Sequence, residues 1–247
     1  MLHTTDQMME TGMTKDKNKP TQANPVDAER RNLIKAFGSG VVAATLSGVS
    51  IAASNPSAAK TLRWGIVGTG GIANSMAPRI LEANGANLVA VSSRRMESAR
   101  QFADKHGVSR AFDSWADMLG WDGVDAIYVA TPTSVREEIC VAAANHGKHV
   151  LGEKPFANLA SLQRITTACK DNEVGFMDGT HFVHHPRTAY IKSNSPELVG
   201  WPWSIDSAFQ FNLSDKNNIR FNPKLEPYGA IGDAGWYNMR VAVEYSA

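Results

Sequence analysis

The chain has 247 residues, 43% of them hydrophobic and 20% charged, with a formal net charge of +1. That length allows one full domain and part of another, and the composition is that of an ordinary globular protein. The near balance of charge lacks the basic excess that marks nucleic-acid binders or attracts a protein to an acidic membrane surface.

Residues 1–28 are polar, rich in Met and Lys and without periodicity, which predicts a disordered leader. Glu29-Arg30-Arg31-Asn32-Leu33-Ile34-Lys35 follows, then an uncharged run from Ala36 to Ala59 that ends in small residues. Paired arginines before such a run resemble a twin-arginine export signal, a receptor-read address rather than an anchor. Gly38, Thr45, Ser47 and Gly48 dilute the apolar stretch, so no stable membrane span is expected. An uncleaved N-terminal membrane helix is the alternative. On the export reading, residues 1–59 are leader and signal, and the mature protein starts near Lys60 and works in the periplasm or otherwise outside the cytoplasm.

Leu62 to Val67 is a short, mostly apolar run that stops at glycines, the pattern of a buried parallel strand. Gly68-Thr69-Gly70-Gly71-Ile72-Ala73 follows at once, a G-x-G-x-x-A pattern. Ile72, Met76, Ala77, Ile80 and Leu81 then recur at helical spacing. The glycines thus stand between a strand and a helix, the context that the dinucleotide fingerprint requires. Gly68 would permit the tight turn, Gly70 the approach of a pyrophosphate, and Ala73 close packing of helix on strand. The helix start would offer its free N–H groups to the phosphates.

A second strand, Asn87 to Ser92, ends where an NAD-preferring domain places a carboxylate for the ribose hydroxyls. This chain has Ser92-Ser93-Arg94-Arg95 instead. Ser93 and Arg94 suit a 2′-phosphate, so NADP is expected in preference to NAD. A solvated basic start to the next helix is the competing explanation. Alternation continues with a strand over 125–130 and a helix over 134–146 that turns Val135, Ile139, Ala142 and Ala143 inward. Further strands are expected at 149–151 and 174–177, with a helix over 158–171 between them. The result is an α/β fold, a Rossmann doubly wound parallel sheet over residues 60–180. Cys140 and Cys169 lie far apart in predicted helices. They form neither a disulfide framework nor a metal-ligand set and read as small buried apolar groups.

Gly147-Lys148-His149-Val150-Leu151-Gly152-Glu153-Lys154-Pro155, preceded by Ala130-Thr131-Pro132, resembles the Gfo/Idh/MocA oxidoreductases. The later segment Gly229-Ala230-Ile231-Gly232-Asp233-Ala234-Gly235-Trp236-Tyr237 is similar to the catalytic motif of that family's dihydrodiol dehydrogenase and glucose-fructose oxidoreductase branch. The resemblance implies that Thr131, Pro132, Glu153 and Lys154 border the cofactor, and that Lys154, Asp233 and Tyr237 are catalytic. A hydroxyl oxidised by hydride transfer must lose its proton to a nearby base. Tyr237 would be that base if the Lys154 ammonium favoured its phenolate, with Asp233 orienting either Lys154 or the substrate hydroxyl. Asp178 to Arg187 sits where such proteins pass into a substrate domain, so His181, His184, Arg187 and the later Trp236 are candidate contacts to a polyhydroxy substrate. Interdomain packing is the alternative for the histidines, and no metal site is expected.

Two departures from the family pattern stand out. Thr133 and Arg136 occupy places where many relatives carry Asn and His, which could change the nicotinamide environment or the substrate charge preferred. Relatives also continue into a large open sheet that covers the substrate and forms a dimer face. Here residues 181–247 supply an incomplete α+β substrate domain, with a strand expected over Trp203 to Phe211, and the chain reads as truncated. The implied function is an NADP-dependent oxidoreductase acting on a sugar, polyol or cyclic diol. The alternatives are a sugar transhydrogenase with tightly held NADP, a non-catalytic dinucleotide-binding protein, and an inactive fragment.

Overall fold

The computed structural model describes residues 61–200 and 204–246. The leader, the twin-arginine segment and Trp203 lie outside them. Six strands form one parallel sheet: β1 (Leu62–Val67), β2 (Ala86–Ser92), β3 (Arg110–Phe112), β4 (Ala126–Val129), β5 (His149–Gly152) and β6 (Phe176–Asp178). Their order across the sheet is β3-β2-β1-β4-β5-β6. The five strands expected within residues 60–180 are therefore present, and β3, too short to show periodicity, adds an edge.

Five helices join the strands: α1 (Gly71–Glu82), α2 (Met96–His106), α3 (Trp115–Gly120), α4 (Thr133–Asn145) and α5 (Leu159–Asp171). Side chains alternate across each strand, so the sheet carries a core on either face. Ile127 and Val129 of β4 join Met118, Leu119, Ile139, Ala143 and Ile165 from α3, α4 and α5. Tyr128, between them, points the other way and joins Ile66, Ala73, Ala77, Ile80 and Phe102 from β1, α1 and α2. Both thiols are buried as expected, and burial pushes that of Cys140 up to about 12.

The inward faces differ in detail from the apolar spacing of the sequence. On α1 the buried residues are Ala73, Ala77 and Ile80, while Ile72 and Leu81 are exposed. Two alanines bring this helix close to the sheet, which turns the larger flanking residues outward. On α4, Val135 is exposed and Arg136 is buried in its place, with Ile139 and Ala143 inward as expected.

Beyond β6 the chain forms a 3₁₀ turn (His181–His184), α6 (Pro186–Leu198), a second 3₁₀ turn (Ile219–Phe221), a π-helical turn (Ile231–Gly235) and α7 (Trp236–Tyr245). The strand expected over 203–211 does not form: residues 204–211 are irregular. An isolated strand leaves both edges unpaired, and no neighbour among the described residues supplies a ladder. No described helix is long and apolar enough to cross a membrane.

Candidate active site

Crossovers from β1 run to β2 on one side and through β3 to β4 on the other, so the sheet reverses its winding between β1 and β4. Open α/β sheets bind ligands outside the carboxyl ends of their strands at that switch point. Gly68 follows β1 here, and Ala130-Thr131-Pro132 follows β4. Gly68 has φ of +105°, and a Cβ on it would stand 2.7 Å from the Ala130 carbonyl oxygen. Only glycine lets the two loops meet this closely. A Cβ at Gly70 or Gly71 would meet nothing within 4 Å, which leaves the start of α1 open.

A crevice of about 860 Å³ opens at this point. Of the candidate cofactor residues, Gly68, Thr69, Gly70, Gly71, Ile72, Ser93, Arg94, Thr131, Pro132, Glu153 and Lys154 all border it. Ala73 does not; it is buried and packs α1 on the sheet. Three features fit a phosphorylated dinucleotide. The N-cap of α1, Gly70, leaves the first turn without a side-chain partner. Arg94 stands exposed beside Ser93, whose hydroxyl accepts from Thr69 Oγ1 at 3.3 Å. The Thr131 hydroxyl is buried and has no hydrogen-bond partner among the described residues.

The same crevice brings Lys154, Asp233 and Tyr237 together. Lys154 Nζ donates to Asp233 Oδ1 at 2.5 Å and to the Asp233 carbonyl at 3.0 Å. The ammonium lies 4.5 Å from the centre of the Tyr237 ring. Asp233 therefore orients Lys154, one of the two roles open to it from sequence. Burial opposes ionisation of Asp233, but hydrogen bonds from Arg220 and Lys154 outweigh it and hold the carboxyl below its ordinary range.

Tyr237 differs from expectation. Lys154 faces the ring rather than the phenolic oxygen and spends two donors on Asp233. Burial and the Glu153 and Asp233 charges push the phenol up to about 12, and the opposing Arg220 charge does not reverse this. The phenol is therefore neutral at physiological pH. Its oxygen lies 3.4 Å from His181 Nδ1.

The other candidates separate. His181 borders the crevice, whereas His184 and Arg187 are exposed away from it. Trp236 also points elsewhere: its indole N–H donates to the buried Thr180 hydroxyl at 2.7 Å, and its ring packs edge-on against Phe156. Glu153 touches the crevice, but its carboxylate is largely buried and accepts from the Tyr128 hydroxyl at 2.6 Å. Arg136 borders the crevice, but its guanidinium is committed to neighbouring loop acceptors. It is 4% exposed and donates to the Thr131 and Pro155 carbonyls and to Thr133 Oγ1. Buried guanidinium donors need acceptors; the two loop carbonyls and Thr133 serve the terminal nitrogens, while Nε has no partner among the described residues.

Sequence reasoning missed the opposite wall. Phe209, Phe211, Asn218, Arg220 and Glu226 line it, and no local motif marks them as site residues. Glu226 fixes that wall by accepting from Thr133 N at 3.1 Å and Thr133 Oγ1 at 2.7 Å, at the start of α4. An Asp or Glu at a helix start is favoured by the unpaired N–H groups there, but from 93 residues away no local pattern signals it.

A six-stranded parallel sheet with an open glycine turn at its switch point defines a dinucleotide-binding Rossmann protein. Residues 62–180 match the oxidoreductase family with NAD-binding Rossmann fold, and that segment belongs to the Gfo/Idh/MocA family. It is 31% identical over 183 residues to D-xylose 1-dehydrogenase (NADP(+)) 2 of Haloferax volcanii, covering 73% of this chain and 56% of that protein. Identity to the Bacillus subtilis scyllo-inositol 2-dehydrogenase (NADP(+)) IolU is 35% over 134 residues, 54% of this chain and 41% of that one. A 3-ketoreductase from Actinomadura kijaniata, solved in complex with NADP and TDP-benzene, superposes with a TM-score of 0.70 at 26% identity, over 76% of this chain and 58% of that one. The chain thus spans about half the length of the curated relatives it matches.

Proposed function

We propose that this protein binds NADP in the crevice and works as an oxidoreductase on a secondary hydroxyl, or the matching ketone, of a sugar, polyol or cyclic diol. The observation that carries the reading is the Lys154–Asp233 pair, seated on the Tyr237 ring in the same crevice as the glycine turn. When bound, the dinucleotide supplies the hydride acceptor or donor; proton handling falls to the chain. In the reductive direction the neutral Tyr237 phenol can give its proton to the nascent alkoxide. In the oxidative direction it can take the substrate proton while passing its own to His181. Lys154 contributes a fixed positive charge where negative charge develops on oxygen.

Titrating the chain with NADPH and with NADH, followed by fluorescence, tests this. Tighter NADPH binding that weakens about tenfold in R94A is expected, the low end for a charged hydrogen bond at an exposed site. A folded chain that binds neither nucleotide refutes the proposal. One observation favours the tightly held cofactor of a transhydrogenase: the Glu226 contact ties the outer wall of the crevice to α4. Nicotinamide absorbance that survives dialysis of the purified protein would support that version. The paired arginines at 30 and 31 support a setting outside the cytoplasm, and a reporter fused behind residue 60 that stays in the cytoplasm would overturn it.

A further inference from the structure

We propose that Arg220 is a positioning residue: by holding Asp233 from the side opposite Lys154, it fixes where the Lys154 ammonium stands in the crevice. This rests on the proposed oxidoreductase function. Asp233 is gripped through both carboxylate oxygens, Oδ1 by Lys154 Nζ and Oδ2 by Arg220 Nε, each at 2.5 Å. The Lys154 side chain is 9% exposed and that of Asp233 15%, so water competes little for this pair, and Arg220 at 33% forms the outer member.

An ammonium has three donors. Lys154 commits two of them to Asp233, to one carboxylate oxygen and to the backbone carbonyl, so the direction of the third follows the orientation of Asp233. A carboxylate held at one oxygen can still turn about its terminal bond; cations on both oxygens fix its plane. Arg220 is itself held. Its Nη1 donates to Asn218 Oδ1 at 3.2 Å, and its guanidinium carbon lies 5.6 Å from the centre of the Phe211 ring. Both partners belong to the outer wall, so placement of the lysine is coupled to seating of that wall. Besides the two cations, the charged or titratable groups that face Asp233 are Tyr237 and, through Tyr237, Glu153.

The Lys154 ammonium can be observed directly by ¹⁵N–¹H correlation in the full chain, with K154A identifying its signal. A resolved, slowly exchanging resonance is expected in the wild type. R220A should broaden it beyond detection and R220K restore it, because lysine returns a charged donor. Asp233, followed by carboxyl ¹³C shift, should titrate about 1–3 pH units higher in R220A. R220Q, which keeps length and polar donors, provides a second variant should R220A lose its fold by circular dichroism. A Lys154 signal and Asp233 titration that are unchanged in the neutral variants overturn the inference, as does a wild-type ammonium that is never resolved. NADPH titration of the wild-type chain separates this from the functional proposal: a folded chain that binds no nucleotide refutes that proposal, whereas the Lys154 signal and the Asp233 titration decide this one.

Discussion

Gly68→Ala should unsettle the fold, while Gly70→Ala, two residues on, should impair cofactor binding with the fold intact. At Gly68 two costs combine. The backbone has φ of +105°, and the new Cβ would stand 2.7 Å from a main-chain oxygen, Ala130 O, that no rotamer change can move. A strained left-handed conformation costs about 1–3 kcal/mol. Relieving the contact means separating the turns after β1 and β4, for which an overpacking cost of about 1–3 kcal/mol is a fair measure. The sum is about 2–6 kcal/mol, a large share of the roughly 5–15 kcal/mol that stabilises a domain. Gly70 has φ of −74° and its Cβ would enter open space, so alanine there should cost about 0.5 kcal/mol, the difference between two weak N-caps. Urea denaturation of both variants, with NADPH titration alongside, measures each effect. Equal stability of the two variants would refute the argument from the Gly68 geometry, and unimpaired NADPH binding by Gly70→Ala would refute the placement of the pyrophosphate.

Arg136→Met should destabilise by about 3–5 kcal/mol, since it removes a buried cation and strands the carbonyls of Thr131 and Pro155; a loss below 1 kcal/mol in urea denaturation would mean that the loops hold themselves. Asp178 accepts from Thr180 N at 2.9 Å and from Arg240 Nη1 at 3.0 Å. Burial opposes its ionisation, yet these bonds win and lower its pKa below the ordinary carboxylate value. A group depressed in the fold stabilises above its unfolded pKa and loses that contribution as pH falls through the folded value. Asp178→Asn should therefore cost about 1 kcal/mol at neutral pH, after screening at this half-buried site, and the gap should close below about pH 4. A gap that widens in acid would reverse the assignment.

What sequence could show follows from range. The strand-glycine-helix unit at 62–82 is legible because its signals are local: an apolar run, punctuation by glycine, then helical recurrence. Arg94 is legible for the same reason, standing at a fixed offset from β2. Arg136 is not, because a charge at a helical position reads as a solvated face until the carbonyls of two distant loops are known to converge on it. The segment 204–211 misled differently. Ile205, Phe209 and Phe211 share the period of a strand, yet all three are exposed and no described strand pairs with the segment. Alternation describes a face, and a strand also needs a neighbour.

Tyr237 shows the limit most clearly, and it bears on mechanism. From sequence, a lysine and a tyrosine in one site suggest an ammonium that stabilises a phenolate. The structure sets Lys154 against the carboxylate and carbonyl of Asp233 and over the face of the Tyr237 ring, where a cation gains from the ring's π electrons without touching the oxygen. A phenolate would add a charge beside Asp233 and Glu153, both of which already oppose it. A neutral phenol avoids that repulsion, donates in one direction of the reaction and accepts in the other with His181 as its second partner. In the proposed oxidoreductase the same residues would therefore suit either direction of the reaction without first removing a proton from Tyr237.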